Sequence, residues 1–332
     1  MTYSYFCGID ISKNHVDLSV IDHWGNQVFI AQSPNQEAGL CELLDKLPTN
    51  DLSGVLFCAE NTGMYGYNLQ QVATRYGLHL WVEHPGQLKA RSGFQRGKTD
   101  PVDAFRIACY AHRFCDQAQL WKAVNSDIEQ LQYLQSERVL LVADRAKYKG
   151  QLGDQKEHMP QGAYRAKAER LTAIIAVFDE QIARIDRRIK ELISQDQVLD
   201  RQNKLLQSIP GVGPRLALAA IILTKGFTSF ESARAFSCYC GIAPFVWHSG
   251  GQTHTRARVS HRADKRMKSL LHMGAMAAVQ REGELREYYL RKCEEGKPKM
   301  SVLNAVRSKL VHRMFAVIKK GEMYQQRIPK FA

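Results

Sequence analysis

The stretch YFCGIDISKNHVDLSVID, residues 5–22, decides how the first part of this chain folds. Apolar residues lead up to Asp10, a short polar break follows, and an alternating apolar pattern resumes at Val16. This pattern predicts two strands, the first of which ends on a carboxylate and carries Gly8 two residues earlier. Asp is also common where strands end, because its side chain bonds nearby backbone N–H groups. A functional interpretation of Asp10 therefore needs partners elsewhere in the chain.

The first 120 residues continue as an alternation of strands and helices. Apolar periodicity and turn signals predict the order β-β-β-α-β-α-β-α. This is the order of the ribonuclease-H-like fold, to which RuvC-type nucleases belong, and in that fold the first strand is central. The predicted strands span residues 4–11, 15–21, 28–32, 54–59 and 78–82, and the predicted helices span residues 36–47, 63–76 and 100–113.

Carboxylates occur at three places that this topology would bring together. The central strand ends at Asp10, and the fourth strand, GVLFCA, is followed at once by Glu60. In the stretch GKTDPVDAFRIA, Asp100 and Asp103 lie three residues apart at a helix start and so face the same way. That spacing is also typical of helix capping. Four converging carboxylates would repel one another unless divalent cations held them, and oxygen ligands suit Mg²⁺ or Mn²⁺.

The charge distribution separates the two halves of the chain. The net charge is +13, yet the first 60 residues hold 2 Lys or Arg against 8 Asp or Glu. A basic body of this kind suggests that the second half binds a polyanion, and nucleic acid is the favoured class. The eight Cys residues form no CxxC pair or Cys/His zinc pattern. Without a visible signal peptide or long apolar run, the sequence predicts a soluble cytosolic protein.

Residues 126–202 are nearly all helix-forming. One apolar series follows a strict heptad spacing, and a second series upstream supplies a partner seam. The polar residues around Pro160 and Gly162 predict a hinge between the two helices. An antiparallel helical hairpin and an intermolecular coiled coil both fit this pattern. The first series is Leu171, Ile175, Phe178, Ile182, Ile185, Ile189 and Leu192, and the second is Ile128, Leu131, Leu134 and Leu141.

The stretch SIPGVGP, residues 208–214, precedes an apolar helix and resembles a helix-hairpin-helix turn. Such turns present backbone N–H groups at a helix N-terminus to a phosphate, which makes Gly211 and Gly213 candidates for nucleic-acid binding. A plain tight turn is the alternative. The sequence of residues 264–332 predicts a helical segment rich in basic residues.

A serine in a cationic, glycine-rich loop follows in FSCYCGIAPFVWHSGGQTHTRARVSHRADKRMKSLL, residues 236–271. Ser249 directly precedes Gly250-Gly251, where backbone can approach a phosphate closely. Such a serine could attack phosphorus while the cations offset the developing charge, or it could merely donate a hydrogen bond to a bound phosphate. The cationic candidates for nucleic-acid binding are Arg256, Arg258, Arg262, Lys265 and Arg266.

Together these motifs resemble the DEDD-type serine transposases (recombinases) of bacterial insertion sequences, the group guided by a bridge RNA. The resemblance covers nearly the whole chain and rests on GIDISK, AENTG, GKTDPVDA, SIPGVGP and YCGIAPFVWHSGGQTHTRARVSHRADKRMKSLL. It implies three domains. These are a RuvC-like domain over residues 1–125, a helical coiled-coil region over 126–205, and a mainly helical transposase domain with the catalytic serine over 206–332.

The resemblance also implies the site. Asp10, Glu60, Asp100 and Asp103 match the family's DEDD set, which binds Mg²⁺ or Mn²⁺. Ser249 falls where the family has its catalytic serine. Members often have two serines before the glycines, and here the first is His248. Ser237, upstream of GIAP, is a poorer candidate because the family usually has a small apolar residue there.

The implied activity is RNA-guided DNA recombination. Ser249 forms a covalent phosphoserine link to one DNA strand, and the hydroxyl of another strand resolves it. The implied partners are a structured guide RNA, donor and target DNA, and further copies of the chain in a dimer or tetramer, with no membrane.

Three alternatives stay open on the sequence. A RuvC-like metal-dependent junction nuclease would use activated water and the four acids but not Ser249. A sugar-kinase-like ATPase would use the phosphate-binding character of the first strand and turn. A non-catalytic RNA-binding protein would keep the fold alone.

Overall fold

A computed structural model describes the fold over most of the chain. For residues 248, 249, 252, 253 and 258 only the backbone is described. The chain divides into two compact units, Met1–Ala123 and Val124–Ala332. The described residues are 3–91, 100–122, 125–245, 248–249, 252–253, 258–260 and 263–326.

The first unit contains five strands and four α-helices in its described part. The predicted order of elements is confirmed, with one addition, the short helix α3 that the sequence analysis missed. The predicted helix over residues 63–76 begins as a 3₁₀ turn at Gly63–Gly66 before it becomes α-helical. The elements are β1 (Tyr5–Ile11), β2 (His15–Asp22), β3 (Gln27–Pro34), α1 (Glu37–Asp45), β4 (Val55–Glu60), α2 (Tyr67–Tyr76), β5 (His79–Glu83), α3 (Pro85–Arg91) and α4 (Asp100–Arg113).

The five strands form one mixed sheet in the order β3-β2-β1-β4-β5. Strand β1 pairs antiparallel with β2 and parallel with β4, so the first strand is central, as predicted. The parallel pairing continues from β4 to β5. This is the mixed sheet of a RuvC-like, ribonuclease-H-like domain.

Helices cover both faces of the sheet. One face packs on α1 and α2 through residues such as Leu40 and Val72. The other face packs on α4. The two backbones are so close at Gly8 that a Cβ there would lie 2.1 Å from the carbonyl oxygen of Ala104. Only glycine allows this approach. The first turn of α4 is thereby held over the end of β1.

The second unit opens with a helical hairpin, which decides between the two arrangements that the heptads left open. Helix α5 (Ser126–Asp154) and helix α6 (Gln161–Gln195) run antiparallel. Their side chains pair in reverse order along the chain, with Arg138 on Asp186 and Arg145 on Asp179. The predicted seam on α6 is buried except at Phe178, which instead packs against Tyr148.

The rest of the second unit is mainly helical and shares one hydrophobic core with the hairpin. Gly211 has a φ of +91°, and a Cβ there would lie 2.5 Å from the carbonyl oxygen of Gly274. The last helix of the unit contributes an apolar face to this core, made of the buried residues Val302, Val306, Leu310, Met314 and Val317. The elements are α7 (Gln197–Gln207), α8 (Pro214–Leu223), α9 (Ala233–Tyr239), β6 (Pro244–Phe245), β7 (His248–Ser249), β8 (Gln252–Thr253), β9 (Arg258–Val259), α10 (Lys265–Gln280), α11 (Glu284–Glu294) and α12 (Lys299–Lys320).

All eight cysteines are unpaired. Within the described ranges, no helix combines the length and apolar character needed to cross a membrane.

Candidate functional site

A row of carboxylates crosses four neighbouring strands of the sheet. Asp17 on β2 lies opposite Asp10 on β1. Ile9 pairs with Ala59, so Asp10 and Glu60, each one residue further along, lie side by side. Glu60 in turn pairs with Glu83 on β5. Residues directly paired across a sheet project from the same face, so all four carboxylates belong to the face that α4 covers.

Helix α4 adds two more carboxylates above this row. Asp100 and Asp103 occupy its first turn. The close packing of Ala104 on Gly8 brings that turn over Asp10, because Gly8 and Asp10 share one face of β1. Asp103 also forms an ion pair with Arg106 at 2.8 Å. The glycine two residues before the terminal Asp of β1 thus allows the helix that carries the second pair of acids to approach.

The electrostatics show that the predicted acids converge. Burial, the larger cause, and the negative charge nearby together raise the pKa of Asp10 to about 6. The four carboxylates responsible include the three that the sequence analysis grouped with Asp10. In order of effect they are Asp100, Asp103, Glu60 and Asp17.

Asp17 and Glu83 were missed by the sequence analysis. Asp17 is only 3% exposed, and its Oδ1 accepts a hydrogen bond from Gln32 Nε2 at 2.9 Å. Glu83 accepts from the hydroxyl of Tyr110 at 2.8 Å; burial and this contact together raise the pKa of Tyr110 to about 12. Both acids could have been found from topology, because the β1–β2 turn pairs Asp17 with Asp10 and parallel strands end at one edge.

The chemistry of this donor set fits a hard divalent cation. All the converging ligands are carboxylate oxygens, which Mg²⁺ and Mn²⁺ favour, and their mutual repulsion favours a bound cation. Among the residues that the structure describes, no three His, Cys, Asp or Glu side chains already form a metal-binding group. The described acids therefore lie in one region of the sheet, but their side chains are not already arranged as the ligands of one metal ion.

The serine segment of the second unit, defined as residues 244–260, contains two short antiparallel strand pairs. Strand β6 pairs with β9, and between them β7 pairs with β8, so that Ser249 lies opposite Gln252. Ser249 is therefore the last residue of β7, directly before the two glycines. The side chains of Ser249 and Arg258 lie outside the described part, and so do Arg256 and Arg262 altogether.

The remaining candidates of the second unit are described. Lys265 and Arg266 are exposed in the first turn of α10. Gly213 is exposed at the N-cap of α8. Gly211 instead packs tightly on α10, and this close packing explains why the position is a glycine without any need for a bound phosphate. Ser237 is 1% exposed, so its hydroxyl is inaccessible to a DNA phosphate in this fold.

Two family models match the chain. A model of DEDD-type transposases, described as "Transposase", matches residues 7–155. A second, described as "Transposase IS116/IS110/IS902 family", matches residues 203–290. Together the two matches cover more than half of the sequence. The chain belongs to the IS110 family of transposases. It is therefore an enzyme of DNA strand cleavage and rejoining.

Three relatives match this IS110-family transposase over nearly its whole length. Two proteins named "Pilin gene-inverting protein", from Moraxella lacunata and Moraxella bovis, are each 27% identical to it over 97% of this chain and 98% of their own. An uncharacterized protein of insertion element IS116 from Streptomyces clavuligerus is 23% identical over 96% of this chain and 95% of its own.

One solved structure, T. thermophilus RuvC in complex with a Holliday junction substrate, is similar at 15% sequence identity. The similarity covers 36% of this chain and 100% of that one, with a TM-score of 0.28. A score this low adds nothing to the sheet topology described above.

Proposed function

We propose that this IS110-family transposase recombines DNA through two sets of residues, the acids of the first unit and Ser249 of the second. The observation that carries the proposal is the convergence of Asp10, Glu60, Asp100 and Asp103 over one end of the sheet. A partly buried cluster of like charges is unfavourable for folding alone, so its presence argues for a ligand of opposite charge.

Ser249 is the proposed nucleophile. Its Oγ attacks a DNA phosphorus atom, the bond from phosphorus to the 3′ oxygen breaks, and the serine proton ends on the released 3′-hydroxyl. The 5′ phosphate stays linked to the serine. The 3′-hydroxyl of another strand then attacks this phosphorus, which rejoins DNA and restores the serine without any high-energy cofactor.

The acids would hold a divalent cation, Mg²⁺ or Mn²⁺. When bound, such a cation neutralises charge on the scissile phosphate and on the entering and leaving oxygens. Asp10 and Glu60 on adjacent strands, with Asp100 and Asp103 above them, provide four carboxylates to hold it. Asp17 and Glu83 extend this negative region along the sheet, and Arg106 restrains Asp103.

The partners of the proposed reaction are nucleic acids and further copies of the chain. A guide RNA selects donor and target DNA by base pairing, and the protein binds mainly backbone, which fits the strongly basic body. The candidate contacts are those of the serine segment, with Gly213 at a helix N-terminus. The proposed assembly is a dimer or tetramer, and the proposed three-domain division places the serine domain over residues 206–332.

A cleavage assay separates recombination from RuvC-like hydrolysis. Purified protein is incubated with Mg²⁺, co-purified RNA and a plasmid that carries the junction of the element. We expect Ser249→Ala and Asp10→Asn each to abolish cleavage, and the wild type to yield DNA covalently attached to protein. Cleavage by Ser249→Ala at the wild-type rate would instead assign the reaction to activated water.

Sequencing of co-purified RNA tests the guide. We expect one discrete species encoded beside the gene, and its removal should abolish site choice. A wild-type protein that recombines specific sites after complete nuclease treatment would contradict RNA guidance.

DNA inversion is a second candidate outcome of the same chemistry. The observation that favours it is the match to the pilin gene-inverting proteins over nearly their whole length. A reporter plasmid with two sites in inverted orientation tests it, since inversion reorients the intervening DNA whereas transposition transfers it to a new location.

A further inference from the structure

Asn35 is a buried polar residue at the edge of the sheet where the acids lie. It directly follows β3 and is only 8% exposed. Because β1 and β3 both run antiparallel to β2, the end of β3 lies at the same edge of the sheet as the end of β1, which carries Asp10. Asparagines in loops are mostly exposed to water, so the burial of Asn35 needs an explanation.

The side-chain amide of Asn35 joins two loops. Its Nδ2 donates to the carbonyl oxygen of Ser12 at 2.9 Å and to that of Tyr65 at 3.0 Å. Ser12 belongs to the turn between β1 and β2, residues 12–14, which we call the β1 turn. Tyr65 belongs to the segment between β4 and α2, residues 61–66, which we call the β4 loop. Carbonyl oxygens only accept, so these two bonds use both hydrogens of the amide nitrogen.

The other polar groups of Asn35 are bonded as well. Its backbone N–H donates to the carbonyl oxygen of Asn14 at 2.8 Å, so the β1 turn is held at two points. Asn68 on α2 donates through Nδ2 to the backbone oxygen of Asn35 at 2.7 Å and to its Oδ1 at 3.3 Å. Every donor and acceptor of Asn35 therefore has a partner, and a buried network that is satisfied in this way is rigid.

The sheet pairing between the two acid-bearing strands stops just before the acids. The last pair of the β1–β4 ladder is Ile9 with Ala59, one residue before Asp10 and Glu60. Asp10 is still paired on its other side with β2, and Glu60 with β5. The separation of these two carboxylates therefore depends on what holds the chain beyond them.

Asn35 connects the two segments that follow these acids. Ser12 lies two residues after Asp10, and the β4 loop begins directly after Glu60, the last residue of β4. Through one nitrogen atom, Asn35 thus ties the chain beyond one acid to the chain beyond the other.

The start of the β4 loop is fixed separately. The backbone N–H of Asn61 donates to the carbonyl oxygen of Glu83 at 2.8 Å, and Oδ1 of Asn61 accepts from the backbone N–H of Gly63 at 3.1 Å. The loop is therefore tied to β5 near its first residue and to the β1 turn, through Asn35, near its last.

We propose that Asn35 is a positioning residue for the divalent cation of the acids, and that it sets the separation of Asp10 and Glu60 by joining the β1 turn to the β4 loop. The inference rests on the metal-binding role of the acids in the proposed function. Two carboxylates repel each other in the absence of a cation, so a rigid connection beyond them keeps them ready to bind one. Residues that orient metal ligands set metal affinity as well as activity.

The test measures Mg²⁺ binding by the full chain without DNA or RNA, by isothermal titration calorimetry with MgCl₂. We expect Asn35→Ala to raise the dissociation constant about 10-fold or more, the usual effect of removing a residue that orients a metal ligand. Its melting temperature should also fall, because the carbonyl groups of Ser12 and Tyr65 lose their donor. Titrations well below the melting temperature report on folded protein, for which a merely structural role of Asn35 predicts an unchanged dissociation constant.

Asn26→Ala is the matched control. Asn26 lies in the turn between β2 and β3, at the opposite edge of the sheet, and its Nδ2 donates to Oδ2 of Asp22 at 3.2 Å. The same substitution there should leave the dissociation constant for Mg²⁺ unchanged.

Asn68→Ala is a milder second variant. It keeps Asn35 and removes only the bonds that orient it. We expect a smaller increase in the dissociation constant than for Asn35→Ala. The double variant should bind Mg²⁺ no more weakly than Asn35→Ala alone, because Asn68 acts through Asn35.

Each result supports or overturns the inference. If folded Asn35→Ala binds Mg²⁺ as tightly as the wild type, or if Asn26→Ala weakens binding equally, the inference is wrong while the proposed function stands. If Asn35→Ala does not fold, Asn68→Ala decides, and an unchanged dissociation constant overturns the inference. If the wild type binds no Mg²⁺, the metal site of the proposed function fails first, and the role of Asn35 fails with it.

Discussion

At the scale of single residues, Gly8 and Asp10 work as a pair. Both lie on the face of β1 that α4 covers, and the missing side chain at Gly8 lets the backbone of α4 approach within van der Waals contact. Asp10 then lies beneath the first turn of α4, where Asp100 and Asp103 raise its pKa. A sequence spacing of two residues is thus explained by one helix packing on one strand.

Replacement of Gly8 by alanine should separate the helix from the strand. The added Cβ would lie 2.1 Å from the Ala104 oxygen, and this backbone clash should lower the free energy of unfolding by about 1–3 kcal/mol. The rate of DNA cleavage should fall by more than the loss of folded protein explains, because the acids on α4 would be displaced. Gly150→Ala on α5, where a Cβ meets nothing within 4 Å, is the control and should leave cleavage unchanged. Urea unfolding and cleavage of the same preparations measure both effects.

The raised pKa of Asp10 gives the metal-free protein a characteristic pH dependence. In the folded state this pKa is about 6, against 3.8 for an unperturbed Asp, so the folded state binds more protons between these values. Stability contributed by this group is therefore greatest at acid pH and decreases as pH rises from about 4 to about 6. Urea unfolding in EDTA at several pH values should show this decrease for the wild type.

Asp10→Asn should remove that decrease and make the metal-free protein more stable than wild type at pH 7. Addition of Mg²⁺ should stabilise the wild type and not the variant. Glu42→Gln, an exposed position on α1, should keep the wild-type profile. If the free energy of unfolding of Asp10→Asn and of the wild type depended on pH in the same way, the charge on Asp10 would not destabilise the folded protein.

At the scale of elements, one carboxylate joins three helices of the second unit. Asp186 on α6 accepts from Arg138 on α5 and from Arg215 on α8. Burial raises the pKa of Asp186, but these two hydrogen bonds outweigh it and hold the pKa below its usual range. The hairpin is thereby tied to the helix that follows the SIPGVGP turn.

Asp186→Ala should lower the free energy of unfolding of the full chain by about 2 kcal/mol, because two half-buried guanidinium groups lose their partner. Glu180→Ala removes an exposed pair with Arg184 one turn away on the same helix, and it should cost about 0.5 kcal/mol or less. Urea midpoints measure both. Equal midpoints for the two variants would contradict the role given to Asp186.

At the scale of the whole molecule, each unit has its own hydrophobic core. Two clusters lie on the faces of the sheet in the first unit, and one large cluster joins the helices of the second. A unit with its own core is expected to fold by itself.

Fragments cut between the units should therefore fold separately. A fragment of residues 1–122 and one of residues 125–332 should each show a cooperative unfolding transition. The second fragment should retain salt-dependent DNA binding because it holds most of the basic residues. Neither should cleave DNA alone, since the proposed reaction needs the acids and Ser249 together. A molten second fragment, with no cooperative transition, would contradict this independence.

Much of the candidate site could be predicted from the sequence. The positions of Asp10, Glu60, Asp100 and Asp103 follow from strand ends and a helix start, which depend on local periodicity. Asp17 and Glu83 were missed because their role depends on the register between strands. Short apolar runs indicate a strand but not which residue it places beside Asp10.

The sequence by itself determined the order of elements, the acid-bearing strand ends, the heptad seams and the basic second half, because these depend on patterns of neighbouring residues. The tertiary structure alone decided that the heptads close a hairpin within one chain and that six carboxylates gather near one face of the sheet. These outcomes depend on contacts between residues far apart in the sequence, and burial, register and charge pairing exist only once those contacts form.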